Sequence, residues 1–510
     1  MRKAVYGSLF LSVVHSILFF GQDLGISVLL FAIPTVFLLI TMLKKHNKIK
    51  NEKALYLAIP ILLLSSTYLF FNNEFFNVVN MMAIPILLGT MIVWATVDTF
   101  KVRTLLGKSI NLVIGSLEFI PNALKIIKVA FLFKNNSEEI KNKKIKQIGI
   151  GVLCSLPLLV IILALLISAD GIFANMFSGI YDQIMYIFNI EFWLRVILAG
   201  IVTIYLVCII YNIVFKESTL NSEKSGSFTW NLKVDGTIVN TVLTIINVVY
   251  LLFSSIQILY VLRYLFINPL SIAGDFEFAK YARQGFFQLM FVSFINFVII
   301  IITNSNNKEK NVENKYTKIM NVLMAVFTII IAVSAFMRMS LYEREYGYTF
   351  LRLMVYVILI TEIIMIIPTI VYIIKGKFNI FKTYFIIAIT MYTIINFINI
   401  DATIARKNVN RYIEQNDISA KREIDFSYLR YNTGTDAIPE IVRLYNNVSD
   451  EKLKREINNY LYNQYNAVKE ESNWQEFNIS KQRAKDILKE MNLSYIQYNY
   501  KNDGKYYDYL

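Results

Sequence analysis

The sequence predicts an all-α membrane protein: a polytopic bundle of transmembrane helices followed by a small C-terminal helical domain. Apolar runs of about 18–25 residues, the length that crosses a bilayer as a helix, recur along most of the chain. Hydrophobic residues make up 56% of the 510 residues and charged residues only 17%. A water-soluble chain of this length would carry more charge and would divide into several domains.

Eleven apolar segments are long enough to span a membrane. In chain order they cover residues 4–20, 24–43, 54–71, 77–97, 148–168, 192–215, 236–262, 284–303, 318–337, 350–374 and 380–399. We therefore predict spans one to four in residues 1–100, cytoplasmic interfacial helices in 101–147, a transmembrane core in 148–400 and an extracytoplasmic helical tail in 401–510.

The distribution of lysine and arginine orients these spans. With the N-terminus in the cytoplasm, the inner segments up to residue 400 carry 27 of these residues and the outer loops carry 6. Cytoplasmic loops of membrane proteins are enriched in lysine and arginine, so this orientation is favoured. An odd number of spans then places the C-terminal tail outside the cytoplasm, in a multi-pass protein of the cell membrane.

The largest inner segment has the pattern of helices that lie on a membrane surface. Within residues 101–133, apolar residues are interrupted by Lys108, Lys125 and Lys128, and Pro121 breaks the run. Lysines in this arrangement favour contact with anionic lipid head groups of the inner leaflet. The formal net charge of +14 therefore predicts the bilayer as a partner, and not nucleic acid.

Histidine and cysteine give no indication of a metal, cofactor or hydrolase site. Cys154 and Cys208 lie in predicted spans, where two cysteines make neither a disulfide nor a metal site. His15 and His46 are the only histidines, one in a span and one in a lysine-rich loop. A histidine metal cluster or a Ser-His-Asp triad cannot be assembled from them. We expect no metal, no cofactor and no catalytic residue.

The type of cation differs between the two sides of the membrane. Lysine accounts for 25 of the 27 inner cations, whereas five of the six outer cations are arginine. The five are Arg263, Arg283, Arg338, Arg344 and Arg352. A guanidinium group binds carboxylate or phosphate through two nitrogens, which predicts an outer site for an anionic ligand or a protein partner. Alternatively, the arginines pair with acids of the same loops and only hold those loops together. The acids are Asp275, Glu277, Glu343 and Glu345.

Five further residues are candidates for this outer site. Tyr348 lies in the tyrosine-rich stretch between the ninth and tenth spans, and Asp170 begins another outer loop. Past the last span, helical spacing places Asp401 and Asn408 on one face, with Arg411 three residues beyond. Each signal is weak alone, but the predicted topology places all five residues on one side of the membrane.

Glu362 is the one acid near the middle of a predicted span. An ionisable side chain at that depth faces the bundle interior, pairs with another group or stays protonated. Two interpretations are open. Glu362 is a site for a proton or a ligand, or it makes a structural hydrogen bond to Thr361 or to a tyrosine of a neighbouring span.

The tail after residue 400 has the pattern of short helices packed together. Helices are predicted to begin near Thr435, Ser449 and Ser480, because these residue types cap helix N-termini. Tyrosine and leucine recur at intervals of three to four residues along these segments, which predicts helical hairpins with one apolar face.

Several motifs, taken in order, resemble a bacterial family of membrane proteins. They are Ser168-Ala-Asp-Gly-Ile-Phe, Tyr281-Ala-Arg-Gln-Gly-Phe-Phe-Gln-Leu, the stretch from Leu341 to Arg352, Asp401-Ala-Thr-Ile-Ala-Arg-Lys-Asn-Val-Asn-Arg, and Asp425-Phe-Ser-Tyr-Leu followed by Thr435-Asp-Ala-Ile-Pro. Over about residues 150–445 the chain is similar to the domain of unknown function 4173 and to its relative 4153. The resemblance implies a bacterial multi-pass membrane protein and supplies no activity and no catalytic residues.

Three functions fit these observations. The outer arginines and the tail favour sensing, binding or scaffolding at the extracytoplasmic face, without catalysis. Transport of a small solute or ion would use Glu362 as part of a pathway. A glycosyltransferase with a lipid-linked donor also combines many spans with an outer C-terminal domain. Such enzymes resemble one another in a long, acidic first outer loop, whereas this chain has only a tight turn around Asp23.

Overall fold

The computed structural model describes residues 2–97, 190–214, 236–266, 289–304, 315–376, 378–414, 424–469 and 473–496. Regular secondary structure in these ranges is helical. The bundle helices are α1 (Arg2–Phe19), α2 (Ile26–Lys45), α3 (Ala58–Phe70), α4 (Glu74–Thr96), α5 (Ile190–Val214), α6 (Gly236–Phe266), α7 (Leu289–Asn304), α8 (Lys315–Tyr346), α9 (Phe350–Lys375) and α10 (Ile380–Asn396). A short 3-10 helix, Glu52–Leu57, leads into α3.

Ten of the eleven predicted spans coincide with these helices. The other one, residues 148–168, lies outside the described residues, as does the predicted interfacial segment 101–147. Among the described residues, six helices are long and apolar enough to cross a membrane: α2, α4, α6, α8, α9 and the continuous segment Glu52–Phe70. The apolar stretches within α1, α5 and α7 are shorter.

Large apolar side chains cover the outer surface of the bundle. Phe37 on α2, Met81 on α4, Leu252 on α6 and Ile367 on α9 are each at least 65% exposed. Such a surface is unfavourable in water and favourable in hydrocarbon. Together with the length of the helices, it indicates a membrane-embedded protein.

The bundle has two packing groups joined by α10. In the first, α1 packs against α2 and α5, and α3 packs between α2 and α4. In the second, α8 packs between α6 and α9, and Phe297 and Ile300 of α7 join the same core. Helix α10 contacts both α3 and α9. The hydrogen bonds between α6 and α8 pair their N-terminal parts and their C-terminal parts, so these two helices run parallel.

The described part of the C-terminal domain contains the α-helices α11 (Ile400–Ile413), α12 (Phe426–Asn432), α13 (Ile438–Asn447), α14 (Glu451–Val468) and α15 (Ile479–Glu490). The chain bends by 59° between α10 and α11. Although these two helices would together pass as a seventh span, α11 is polar and packs on α13, so we assign it to the C-terminal domain. Ile404, Leu429, Ile441 and Leu461 are fully buried in the core of this domain.

Three predicted helix starts in the tail are wrong by one to three residues. Residues Thr435–Ala437 form a 3-10 turn, and α13 begins only at Ile438. Asp450, and not Ser449, caps α14 by accepting from Lys452 N. Asn478, and not Ser480, caps α15. The hydroxyl of Ser480 instead lies 3.1 Å from Thr435 Oγ1, because the two turns pack against each other.

Four interhelical turns meet the C-terminal domain at one end of the bundle. They are the turns between α1 and α2, between α3 and α4, between α8 and α9, and between α10 and α11. The distant segments that contact them come from α11, from α12, from the turn before α13 and from the turn before α15. This convergence defines the candidate site.

Candidate functional site

The contact between the bundle and the C-terminal domain, here called the junction, contains two buried aspartates. Asp401 opens α11 and is 2% exposed. Its carboxylate accepts from Asn73 Nδ2 at 2.7 Å and from Gly434 N at 2.9 Å. Because Asn73 lies in the turn between α3 and α4 and Gly434 precedes α13, Asp401 ties both segments to the start of α11.

The second buried aspartate, Asp436, also binds the turn between α3 and α4. Its carboxylate accepts from Asn72 N at 2.7 Å and from Asn399 Nδ2 at 3.0 Å. Asn72 also donates from its side chain to Thr435 Oγ1 at 3.2 Å. Consecutive asparagines of one turn therefore bind the two aspartates.

Burial perturbs both carboxyl groups. Desolvation raises the pKa of Asp401 to about 6, although the donors Gly434 N and Asn73 Nδ2 oppose this shift and the nearby Asp436 adds to it. The pKa of Asp436 is also raised by desolvation, against the hydrogen bonds from Ser480, Asn72 and Asn399. The junction thus buries two carboxyl groups that accept hydrogen bonds from neutral donors.

Two glycines allow the backbones to approach closely at this contact. A Cβ atom on Gly434 would lie 2.4 Å from Asn72 O. A Cβ atom on Gly25, in the turn between α1 and α2, would lie 2.6 Å from Glu476 O. Both distances are too short for any side chain, so the two segments are in direct backbone contact.

The turn before α15 attaches to the bundle through backbone groups. Asn478 Nδ2 donates to Tyr68 O and to Phe71 O, both at 2.8 Å. Ile26 N donates to Phe477 O at 3.0 Å, which joins the same turn to the start of α2. The aspartates and this turn together bind the C-terminal domain to three separate bundle helices.

A second cluster joins α11 to the turn between α8 and α9. Asn408 accepts from Tyr348 N at 2.8 Å and donates to Tyr348 O at 2.9 Å, so one side-chain amide satisfies both backbone groups of Tyr348. Gly347 has φ +79°, and a Cβ atom there would lie 2.6 Å from Asn408 Oδ1 and 2.8 Å from Arg411 Nη1. The positive φ favours glycine at this position.

The described outer arginines, Arg338 and Arg352, donate hydrogen bonds to other groups of the protein. Arg352 donates to the carbonyl oxygens of Tyr346, at 2.9 Å, and of Gly347, and its guanidinium lies 4.5 Å from the ring centroid of Tyr342. Arg338 donates to Gln257 Oε1 on α6 at 2.9 Å. The alternative in which arginines hold the loops together therefore fits Arg352, but carbonyl groups take the place of the expected acids.

The predicted site residues lie in different parts of the molecule. Tyr348, Arg352, Asn408 and Arg411 come together, and Asp401 lies in the adjacent aspartate pair. Arg338 lies deeper, between α6 and α8. Arg263 and Arg344 lie on α6 and α8, but their side chains are outside the described part, as are residues Asp170 and Arg283 entirely. Glu362 is buried in the membrane-spanning part of α9, away from the junction.

Sequence reasoning missed the partners of these residues. Asn72, Asn73, Gly434, Asp436 and Asn478 carry most of the junction. The Asn-Asn pair directly after an apolar run and the Thr-Gly-Thr-Asp segment are the signals that indicate a polar turn and a close backbone contact. Neither signal identifies its partner, because the partners are hundreds of residues apart.

The junction encloses little space. A cavity of about 10 Å³ lies between the turn after α3, α4 and the start of α11, with Thr67, Asn73, Asn396 and Asp436 among its lining residues. This volume holds about one water molecule. Within the described residues, no group of three or more His, Cys, Asp or Glu could hold a metal ion. The described contacts of the junction attach the C-terminal domain to the bundle.

Comparison with known sequences gives a family and no activity. No curated protein and no solved structure matches the chain. The model of a domain of unknown function, DUF4153, matches residues 58–444, which extends further toward the N-terminus than the resemblance over residues 150–445. The matched range contains the turn between α3 and α4 and the turn before α13, which both bind the aspartates. The chain belongs to the DUF4153 family.

Proposed function

We propose that this chain is an integral membrane protein that holds its C-terminal domain against the extracytoplasmic ends of its helices, where the domain senses, binds or scaffolds partners. The observation that carries the proposal is the convergence of four interhelical turns on that domain. Backbone contacts and buried hydrogen bonds fix its position, as expected for a domain that works in a defined orientation to the membrane.

The distribution of lysine supports the orientation. Lys44 and Lys45 occupy the last turn of α2, and Lys375 occupies the last turn of α9. These helix ends lie away from the C-terminal domain, because the opposite ends of α2 and α9 are the ones that contact it. Lysine marks the cytoplasmic side of membrane proteins, so the domain would face the other side.

Exposed aromatic and aliphatic side chains support a position at the membrane surface. Trp474 is 58% exposed, and Phe477 and Ile479 beside it are each 42% exposed. The neighbouring Gln475 donates to Ile17 O at the end of α1, which places this segment at the edge of the bundle. Tryptophan is enriched at membrane interfaces, because one part of its ring system is apolar and its N–H is polar.

Cysteine labelling in intact cells tests the orientation. In a background with Cys154→Ala and Cys208→Ala, Ser449→Cys should react with a membrane-impermeant maleimide, whereas Lys53→Cys should react only after permeabilisation. Both substituted positions are exposed, so reactivity reports the side of the membrane. Labelling of Lys53→Cys alone in intact cells would contradict the proposal.

Transport of a small solute or ion is a second candidate function. The specific observation in its favour is a set of buried polar side chains that extends through α6, α7, α8 and α9. Glu362, the predicted intramembrane acid, belongs to this set.

A further inference from the structure

Helix α6 carries a stripe of polar residues inside the bundle. The stripe consists of Asn240, Asn247, Tyr250, Ser254 and Gln257. At 3.6 residues per turn these five positions fall on one helix face, and 17 residues of helix extend for about 26 Å, most of the hydrocarbon thickness. Asn247, Ser254 and Gln257 are each at least 95% buried. A polar stripe is therefore present across the membrane-embedded part of the protein.

Neighbouring helices extend the stripe into a column, which we name the polar column. At one end Thr317 of α8 donates to Asn240 Oδ1 at 2.6 Å. In the middle Tyr250 donates to Asn296 Oδ1 of α7 at 2.7 Å. Asn296 in turn donates to Thr328 Oγ1 at 2.9 Å.

The end of the column nearer the C-terminal domain is formed by α6 and α8. Gln257 Oε1 accepts from Ser334 Oγ at 2.6 Å and from Arg338 at 2.9 Å. The polar groups thus follow one another along the bundle on all three helices α6, α7 and α8.

Four buried atoms in this column have no hydrogen-bond partner among the described residues. They are Asn247 Oδ1, Ser254 Oγ, Asn321 Nδ2 and Glu362 Oε2. Their side chains belong to residues that are 5%, 1%, 0% and 9% exposed, respectively. A buried polar atom without a partner is unfavourable, and native proteins satisfy such atoms with protein groups or with ordered water. All four atoms lie on helices of the polar column, where water could supply the hydrogen bonds that the described residues do not.

The chemistry of the four atoms favours water as that ligand. Asn247 Nδ2 donates to Met320 O at 3.0 Å, so the Asn247 side chain contacts the residue that precedes Asn321 in α8. A water molecule satisfies an acceptor such as Asn247 Oδ1 as well as a donor such as Asn321 Nδ2, whereas the Asn321 N–H groups repel a metal cation. The Ser254 hydroxyl is both donor and acceptor.

Glu362 supplies a carboxyl group to the column. From α7, the Ser293 hydroxyl faces its carboxylate. Titratable side chains of the surrounding helices have described partners of their own: Tyr250 of α6 bonds to Asn296, Arg338 of α8 bonds to Gln257, and Tyr384 of α10 bonds to Thr369. On α8 and α9, Glu343 and Tyr356 lie toward the C-terminal domain and interact with each other.

We propose that the polar column holds a chain of water molecules, and that Glu362 takes up and releases protons through it. In uptake a hydrated proton moves along the chain, an O–H bond forms at a carboxylate oxygen of Glu362, and the last water molecule is left neutral. Release is the reverse step and needs no other reactant. The inference does not depend on which membrane face carries the C-terminal domain.

Infrared spectroscopy of the full-length protein in lipid bilayers tests this assignment. The difference between the wild type and Glu362→Gln identifies the carboxyl band of Glu362. We expect this band to grow as the pH is lowered, and to shift promptly when the sample is placed in deuterium oxide. A carboxyl group sealed in an apolar core would do neither.

A matched pair of serine variants tests the path. Ser254→Val removes a buried hydroxyl of the column, whereas Ser255→Val removes an exposed hydroxyl that bonds within its own helix. We expect Ser254→Val to slow exchange at Glu362 by about tenfold or more, since exchange then requires a local opening. Ser255→Val should keep the wild-type rate. Asn321→Leu, at another level of the column, should act like Ser254→Val.

Two results would overturn the proposal. One is a Glu362 carboxyl band in the wild type that does not shift in deuterium oxide, although the amide hydrogens of the exposed C-terminal helices exchange fully for deuterium. The other is exchange at the wild-type rate in both Ser254→Val and Asn321→Leu, with thermal unfolding unchanged. If Ser254→Val fails to fold, Asn321→Leu and the wild-type measurement still decide the question.

Discussion

The junction and the polar column both bury asparagine, serine and threonine, but they differ in how completely these side chains are hydrogen-bonded. Around Asp401 and Asp436, every carboxylate oxygen accepts from a donor of the protein. In the column, Asn247, Ser254 and Asn321 each keep an atom without a partner among the described residues. A satisfied network fixes one arrangement, whereas an unsatisfied one leaves places for water.

This difference predicts opposite responses to substitution. Loss of one group in the junction leaves another group buried without a partner, which lowers the free energy of unfolding. Loss of a column group that bonds to water leaves no protein group without a partner, so the free energy of unfolding changes little while exchange with water changes strongly. The following variants test the two halves of this comparison.

The largest expected effect comes from Gly434→Ala. The added Cβ atom would lie 2.4 Å from the backbone oxygen of Asn72, and backbone cannot move aside as a flexible side chain would. We expect a loss of about 1–3 kcal/mol and faster proteolytic release of the C-terminal domain. Gly200→Ala is the control, because nothing lies within 4 Å of a Cβ atom there. Equal protease sensitivity in the two variants would refute the close contact.

Asn408→Ala should have the next largest effect. The substitution removes two hydrogen bonds and leaves both backbone groups of Tyr348 without their partner. We expect a loss of about 1–3 kcal/mol, measured by thermal unfolding in detergent. Asn446→Ala, an exposed position at the end of α13, should leave the unfolding temperature unchanged. If Asn408→Ala is as stable as Asn446→Ala, α11 does not hold the turn between α8 and α9.

The junction should also be more stable in mild acid than at neutral pH. The pKa of Asp401 is raised to about 6 in the folded protein, so the folded state binds more protons than the unfolded state between about pH 4 and pH 6. The contribution of Asp401 to the free energy of unfolding is therefore greatest below about pH 4 and is lost as the pH rises through 6. Asp436 shifts in the same direction. The unfolding temperature should fall from pH 5 to pH 7.5.

Asp401→Asn should flatten this pH dependence, while the exposed Asp486→Asn should retain it. The cost of Asp401→Asn at pH 5 should be about 1–2 kcal/mol, because one of its two donors then faces an amide N–H. An unfolding temperature of the wild type that rises between pH 5 and pH 7.5 would contradict the assigned direction.

Hydropathy predicted the helices, because burial in lipid requires long apolar segments whatever their partners are. Helical spacing indicated that Asp401 and Asn408 share one face of a helix. It could not predict that Asp401 binds Asn73, since side-chain spacing reports on local geometry and these residues are 328 positions apart. The prediction of Ser480 as a cap failed for the same reason: Asn478 caps α15 while its amide nitrogen donates to two carbonyl groups at the C-terminal end of α3.

Glu362 shows a different limit of prediction from the sequence. Its isolation among apolar residues predicted a buried acid, but its surroundings depend on α6 and α7. The spacing of Asn240, Asn247 and Ser254 by seven residues is visible in the sequence and places one polar group on the same face every two turns. Such a period in an apolar helix indicates a buried polar surface, and only the packing of α7 and α8 shows what it contacts.

The smallest expected effect gives the sharpest comparison, because the same change is made in both regions. Ser480 in the junction and Ser254 in the column are both buried, and each has a hydroxyl that alanine would remove. Ser480 bonds to its neighbours Thr435 and Asp436, so Ser480→Ala should lower the free energy of unfolding by about 1 kcal/mol. Ser254→Ala removes a hydroxyl with no described partner and should change it by less than about 0.5 kcal/mol. Thermal unfolding in one detergent compares the two directly. If Ser254→Ala costs as much as Ser480→Ala, the hydroxyl of Ser254 is firmly bonded to protein, and water has no place beside it.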